Sequence, residues 1–237
     1  MKKHNHDNLR YRQSYEDGPV EDKEYGIIYS MPSRNIVRVD VPESYYHVYF
    51  RGGSSSRIFR DAADFEKMLQ LFARYLSLEE VKNSAGISFP NYSNRLELAA
   101  FCLMPTHVHL LVYQRQQGTM TEFMRSLLTS YSMYFNKKYK HRGPLFASRY
   151  KASLVSDDSY LEHITRYIHL TPRQWQEYEY SSLPYYLQQV SDEWIMPKRI
   201  LEHFSSPGSY LAFMADRQQS KEMLDILKHE LADSSRV

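Results

Sequence analysis

The stretch Phe101-Cys102-Leu103-Met104-Pro105-Thr106-His107-Val108-His109-Leu110-Leu111-Val112-Tyr113 constrains this chain more than any other. It is apolar except for a Pro-Thr step and two histidines separated by one valine. Proline and threonine mark a tight turn between two strands, Leu96 to Met104 and His107 to Tyr113. Successive side chains of a strand point to opposite faces. His107 and His109 therefore share one face, and Val108, Leu110 and Val112 share the other. Two imidazoles on one face of an anchored strand are half of a divalent-metal site. The plainer alternative is a histidine pair on the solvated side of a half-buried strand.

The rest of the 237 residues builds around this hairpin. Tyr45 to Arg51 is aromatic and β-branched and ends at Gly52-Gly53, as a strand entering a turn does. Asp61 to Ser77 is expected to be helical, with Phe65, Met68, Leu69, Phe72 and Leu76 on its inward stripe. Thr119 or Thr121 can cap a long helix to about Tyr139, burying Phe123, Leu127, Leu128, Tyr131, Tyr134 and Phe135. Leu145 to Val155 reads as extended. A further helix opens at Ser156-Asp157-Asp158-Ser159, with Glu162 as capping-box partner of Ser159, and stops before Pro172. Leu161, Ile164 and Ile168 form its apolar stripe, with Tyr160, His163 and Tyr167 beside it. One or two more helices follow, including one from Ser220 to about Leu231. This order suits an α+β plan, an antiparallel sheet covered by helices.

Composition narrows the function classes. A hydrophobic fraction of 42% is enough for a packed core at this length. No run approaches the roughly 20 apolar residues of a membrane span, and Met1-Lys2-Lys3-His4-Asn5-His6 is unlike a signal peptide, so the chain reads as cytoplasmic, with no membrane partner. The single cysteine, Cys102, excludes an intrachain disulfide and a cysteine-based zinc site. No phosphate-binding glycine loop, serine elbow or dinucleotide fingerprint occurs.

Net charge is only +2, but its distribution is uneven. From Phe123 to Ser156 there is no acidic residue, while Arg125, Lys137, Lys138, Lys140, Arg142, Arg149 and Lys151 fall there. They interleave with Tyr131, Tyr134, Tyr139, Phe146 and Tyr150. Cations for phosphates and rings for bases are what a binder of single-stranded nucleic acid uses. The alternative is a solvated basic face balanced elsewhere.

A metal on two imidazoles can act as a Lewis acid on a phosphodiester, and the nucleophile is then water or a side chain. The chain has 21 tyrosines, any of which could in principle attack phosphorus. Tyr160 and Tyr167 share one phase of their helix, and periodicity does not choose between them.

Pro105-Thr106-His107-Val108-His109-Leu110-Leu111-Val112 resembles the His-hydrophobic-His (HUH) motif of single-tyrosine transposases. Further stretches resemble the REP-associated tyrosine transposases of that superfamily. They are Tyr46-His47-Val48 with Arg51-Gly52, Ile58-Phe59-Arg60, Tyr134-Phe135-Asn136-Lys137-Lys138-Tyr139, Gly143-Pro144-Leu145-Phe146 with Arg149-Tyr150-Lys151, Arg166-Tyr167-Ile168-His169-Leu170-Thr171-Pro172 and Tyr180-Ser181-Ser182.

The resemblance implies a ferredoxin-like (RRM-like) sheet over residues 36–187; residues 1–35, polar, charged and nearly without periodicity, read as a flexible tail, and 188–237 as a helical extension. The resemblance also implies Tyr167 as nucleophile, forming a 5′-phosphotyrosine bond to single-stranded or hairpin DNA, and His107 and His109 as ligands of Mg2+ or Mn2+. Thr171 stands where the family usually carries an amide ligand, and His169 or His163 are alternatives for that role. Arg51, Lys137, Lys138, Lys140, Arg142, Arg149 and Lys151 are the expected DNA contacts. Two other activities remain open: a hairpin-DNA-binding protein that no longer cuts, and a metal-dependent phosphodiesterase that uses water. Either a monomer or a homodimer is compatible with the sequence.

Overall fold

The computed structural model describes residues 40–155 and 158–216. The expected tail over 1–35, the Ser156-Asp157 start of the helical cap and the helix from Ser220 to Leu231 lie outside the described residues.

Four antiparallel strands form one sheet in the order β2-β3-β1-β4. They are β1 (Ser44–Arg51), β2 (Leu96–Met104), β3 (His107–Gln114) and β4 (Lys151–Val155), with α1 (Ala62–Leu76) between β1 and β2 and α2 (Thr119–Tyr139) between β3 and β4. This is the split β-α-β arrangement of ferredoxin-like folds, so the expected fold class is the observed one. After β4 come α3 (Asp158–Leu170), a 3-10 turn at Trp175–Glu177 and the short helices α4 (Leu183–Tyr186), α5 (Lys198–Leu201) and α6 (Pro207–Ala215). Among the described residues no helix is long and apolar enough to cross a membrane.

Alternation along the strands sorts the two cores. Tyr46, Val48 and Phe50 of β1 and Val108, Leu110 and Val112 of β3 pack with Phe65, Met68 and Phe72 of α1 and Phe123, Leu127 and Tyr131 of α2. On the other face Leu111 meets Leu161, Ile164 and Ile168 of α3 and Tyr210 and Met214 of α6. Strand β2 is covered on both sides, which is why Leu96-Glu97-Leu98-Ala99-Ala100-Phe101-Cys102-Leu103 is nearly all apolar. A register shift between Leu98 and Ala100 marks a bulge. Leu96 and Leu98 and then Phe101 and Leu103 thereby reach the α1/α2 core, while Ala99, Ala100 and Cys102 face α3. Without the extra residue, Phe101 and Leu103 would point to the wrong face. The small Ala99 and Ala100 leave room for α3 to lie close to the sheet.

Local chemistry sets the ends of the elements. Asp61 caps α1 and exchanges a capping box with Asp64. Leu71 belongs to the buried stripe of α1, whereas Leu69 is half-buried. The expected threonine cap of α2 is corrected: its N-cap is Gly118, at φ 83. Gly118 adopts the left-handed region that suits glycine. The first turn is instead satisfied from a distance, by Gln114 Oε1 accepting from the Met120 amide at 2.9 Å. The Asp40 carboxylate holds the Gln114 amide at 2.7 Å and accepts from the Gly118 N–H at 3.1 Å.

The sequence motifs meet in pairs. The Pro105 carbonyl accepts from Ile58 and Phe59 amides at 2.8 and 3.1 Å, and the Thr106 carbonyl from Gly52 at 2.9 Å. A Cβ on Gly52 would collide with the Ser56 carbonyl, so that approach needs glycine. Phe146 bridges to Gly52, seating the Gly143-Pro144-Leu145-Phe146 motif at the end of β1; only Lys151 to Val155 of the expected extended run is strand. Tyr180 to Ser182 pairs along the outer edge of β2, with Leu103 N donating to Tyr180 O and Ser182 N to Phe101 O, both at 2.9 Å. The edge is thus covered rather than left to pair with another chain.

Candidate active site on the histidine face of the sheet

Strands β1 and β3 are the two central strands, and their register sets Tyr49 opposite His109 and Arg51 opposite His107. Directly paired residues share a face, so His47, Tyr49 and Arg51 join His107 and His109 on the side covered by α3. The His47 and His109 rings are nearly parallel, with centroids 5.2 Å apart and 7° between planes. His107 stands perpendicular to His109 at 5.2 Å. Tyr167 of α3 meets His109 edge-on at 5.1 Å and His47 at 5.8 Å. Tyr49 closes the group, 4.9 Å from His109 and 5.8 Å from His107. The structure therefore brings His107, His109 and Tyr167 together.

Burial governs protonation here. His47 and His109 are 4% and 2% exposed. Desolvation pushes His47 down to about 4. Burial, then the neighbouring His47 and His107, hold His109 well below its ordinary value. Burial and the Arg51 guanidinium lower His107. All three imidazoles are neutral at pH 7, the form that binds metal. Burial likewise raises the Tyr167 phenol, with Tyr49 and Cys102 adding to the effect.

The ring nitrogens can be accounted for individually. His109 Nδ1 lies 3.0 Å from His47 Nε2, and His107 Nδ1 lies 3.0 Å from Thr106 Oγ1. Neither Nε2 makes a hydrogen bond among the described residues. Two neutral imidazoles with uncommitted Nε2 atoms are a donor pair that fits a divalent cation of borderline hardness. Among the described residues no cluster of three His, Cys, Asp or Glu side chains completes a cage. Thr171 sits one helical turn beyond Tyr167, with its hydroxyl donating to the Tyr167 carbonyl at 3.0 Å. The two alternative ligands are engaged elsewhere. His169 is buried with Nδ1 2.7 Å from the Tyr210 hydroxyl and Nε2 2.6 Å from Ser182 Oγ. His163 lies against Phe213, ring centroids 5.5 Å apart.

The expected DNA contacts divide by location. Arg51 is exposed at the end of β1 and Lys151, on β4, pairs with Tyr49, so both border the histidine face. Lys137, Lys140, Arg142 and Arg149 are exposed, the first three at the end of α2, the helix over the other face. Lys138 is exposed as well, but its ammonium is held in ion pairs. Its ammonium lies 2.6 Å from Asp61 and 2.8 Å from the fully buried Asp64, and both tyrosine hydroxyls of Tyr134 and Tyr139 join the cluster.

His47 and Tyr49 are the residues that sequence reasoning missed. Alternation in Tyr45 to Arg51 opposes them to Tyr46, Val48 and Phe50. That signal names a face but not the neighbouring strand, and only the β1–β3 pairing shows which histidines share it.

The site is thus a ferredoxin-like sheet carrying an imidazole pair beneath a helix-borne tyrosine. The chain matches the IS200-like transposases over residues 40–171, more than half its length, and belongs to that family. The match spans the whole sheet and ends at Thr171. No curated protein matches the chain. Among solved structures it is similar to a REP-associated tyrosine transposase bound to a REP hairpin, at 11% identity over 65% of this chain and 84% of that one, TM-score 0.48. It is also similar to a transposase candidate from Deinococcus radiodurans R1, at 21% identity over 53% of this chain and 89% of that one, TM-score 0.34.

Proposed function

We propose that this transposase-family protein cleaves and rejoins single-stranded DNA beside REP-like hairpins, in the manner of the REP-associated tyrosine transposases, with Tyr167 as nucleophile. The observation that carries the reading is the edge-on placement of Tyr167 against His109, on the face that also holds His107 and Arg51. Residues 36–187 form the catalytic unit in this reading, with 1–35 and 188–237 as appendages, and the protein works in the cytoplasm.

The Tyr167 phenolic oxygen attacks phosphorus, its proton leaves to solvent, and the P–O3′ bond breaks. The DNA 5′-phosphate remains on the tyrosine, and the departing O3′ takes up a proton to become a hydroxyl. A later attack by a 3′-hydroxyl reverses these steps and joins the strands. Arg51 and Lys151 bind the scissile phosphate and its neighbour, supplying positive charge where charge develops. Burial disfavours the tyrosinate, so the nucleophile is activated only when cations gather around it. His107 and His109 would hold Mg2+ or Mn2+ through Nε2, with Thr171 as a weak oxygen donor at best. Bound there, the cation would polarise a non-bridging phosphate oxygen. With so few protein ligands, substrate oxygens and water would have to supply the remaining donors, and metal affinity would be low until DNA binds.

A second reading is favoured by one observation: the Thr171 hydroxyl is already bonded to the Tyr167 carbonyl. On that reading the protein binds hairpin DNA and cuts poorly or not at all. Hairpin oligonucleotides labelled at either end, incubated with protein and Mn2+, separate the possibilities. The proposed chemistry yields a covalent adduct with the 5′-phosphate side and a free 3′-hydroxyl, lost in Tyr167→Phe. Binding without an adduct supports the second reading. Cleavage that survives in Tyr167→Phe points to water as the nucleophile.

A further inference from the structure

His47 has no part in the chemistry above, yet it is buried and its ring nitrogen lies within hydrogen-bond distance of a candidate ligand. We propose that His47 is a positioning residue that selects the tautomer of His109 and so presents the His109 Nε2 lone pair to the cation. The proposal rests on His109 being a metal ligand. Its own basis is the 3.0 Å separation of His47 Nε2 from His109 Nδ1, between stacked rings 7° from parallel.

A neutral imidazole carries one N–H. Two arrangements satisfy the His47–His109 contact. In one, His109 Nδ1–H donates to His47 Nε2, His47 keeps its proton on Nδ1, and His109 Nε2 is bare. In the other, His47 Nε2–H donates to His109 Nδ1, and the His109 proton is forced onto Nε2, where it blocks a metal. Only the first is compatible with binding through Nε2, so the partner of Nδ1 decides whether the site can load. At His107 the corresponding partner of Nδ1 is a hydroxyl, Thr106 Oγ1, at 3.0 Å. Partners of this kind fix ring orientation as well as tautomer, and their removal typically lowers metal affinity by about 10–100-fold. His47 also packs edge-on to Tyr167 at 5.8 Å. A single ring therefore registers the ligand and the nucleophile against each other.

The test uses the full chain, with Mn2+ alone as the metal probe and long-range 1H–15N correlation of the histidine rings as a metal-free readout. In the wild type, His109 is expected to be protonated at Nδ1 and bare at Nε2. His47→Phe keeps a flat ring but has no acceptor; it should mix the His109 tautomers and raise the Mn2+ dissociation constant by about 10–100-fold. His47→Gln retains an acceptor and should restore most of the affinity, which a loss of packing alone would not predict. It also serves if His47→Phe does not fold. A wild-type spectrum with the proton on His109 Nε2, or His47→Phe binding Mn2+ as tightly as wild type, overturns the proposal. So does a Mn2+-induced effect that makes His47 itself a ligand. If the wild type binds no Mn2+ with or without hairpin DNA, the ligand assignment fails, and the metal-free spectrum still reports the tautomer separately.

Discussion

Tyr167 meets His109 edge to face, the ring planes 89° apart and the centroids 5.1 Å apart. The phenol is held by packing: its hydroxyl makes no hydrogen bond among the described residues, and α3 is anchored by Leu161, Ile164 and Ile168. Tyr167→Phe should therefore change stability by less than about 1 kcal/mol, within the range of surface-like substitutions that break no bond. Covalent adduct formation should be abolished with DNA affinity unchanged. Melting curves and adduct gels on the same preparation check both. A full yield of adduct in this variant would move the nucleophile to another residue, Tyr160 first.

Asp64 and Lys138 form an ion pair between α1 and α2, with Asp64 buried and Lys138 at the surface. The Asp64 carboxylate, shut off from solvent, also accepts from the Arg60 amide at 2.7 Å and the Tyr139 hydroxyl at 2.8 Å. Asp64→Ala removes the acceptor of the Arg60 amide and one of the two carboxylates on the Lys138 ammonium, Asp61 remaining, and should cost about 1–3 kcal/mol. Urea melts measure it. Lys138→Ala should lower stability while leaving hairpin-DNA affinity as in wild type.

Arg51 and Lys151 should behave in the opposite way. Single-stranded DNA binding is expected to weaken as salt rises, and each lost phosphate contact to flatten the log–log slope by about 0.7. Arg51→Ala and Lys151→Ala should each do so with unchanged melting temperature. Affinity independent of salt would remove the electrostatic basis of the interface.

Acidification should unfold the domain through its buried histidines before its carboxylates. Burial holds His47 at about 4 and His169 at about 3. A histidine depressed in the folded state binds its proton more readily when unfolded, so it stabilises the fold above about pH 6.5 and loses that contribution as pH falls toward 4 and 3. Asp64 acts in the same direction at lower pH. Burial would raise its pKa, but the Lys138 ammonium, the Arg60 amide and the two tyrosine hydroxyls outweigh that and hold it below the usual carboxylate range. Stability measured by urea across pH 7 to 4 should fall steadily. In His169→Gln, which removes one titrating group, the slope should be shallower by the equivalent of up to one proton.

Thr171→Gln restores a longer oxygen donor one turn after Tyr167. It is expected to raise Mn2+ affinity or the cleavage rate, since an amide reaches farther than a hydroxyl tied to the Tyr167 carbonyl at 3.0 Å. Metal titration and single-turnover cleavage compare the two proteins. Equal values in both would show that Thr171 does not reach the metal.

Much of the fold was legible because its signals are local. The 3.6-residue spacing of Phe65, Met68 and Phe72, the Asp61 cap and the Pro105-Thr106 break depend only on near neighbours, and α1, β2 and β3 stand within a residue of where they were expected. The shared face of His107 and His109 follows from the two-residue period of a strand, and Tyr167 from the resemblance of its motif. The cap of α2 was misread for the converse reason, since Gln114 and Asp40 reach it from outside the helix.

By itself, then, the sequence determined the strands and helices and which side chains share a face, because backbone periodicity and caps act over a few residues. Only the tertiary structure decided which faces meet. The pairing of β1 with β3 set His47 on His109 across 62 positions of chain, and the packing of α1 on α2 gave Lys138 to Asp64 across 74. The bulge at Ala99 turned Phe101 toward one core and Cys102 toward the other. Such contacts have no periodic trace, because they arise from burying two remote surfaces against each other, and the charge or tautomer of each group is set by what it then touches.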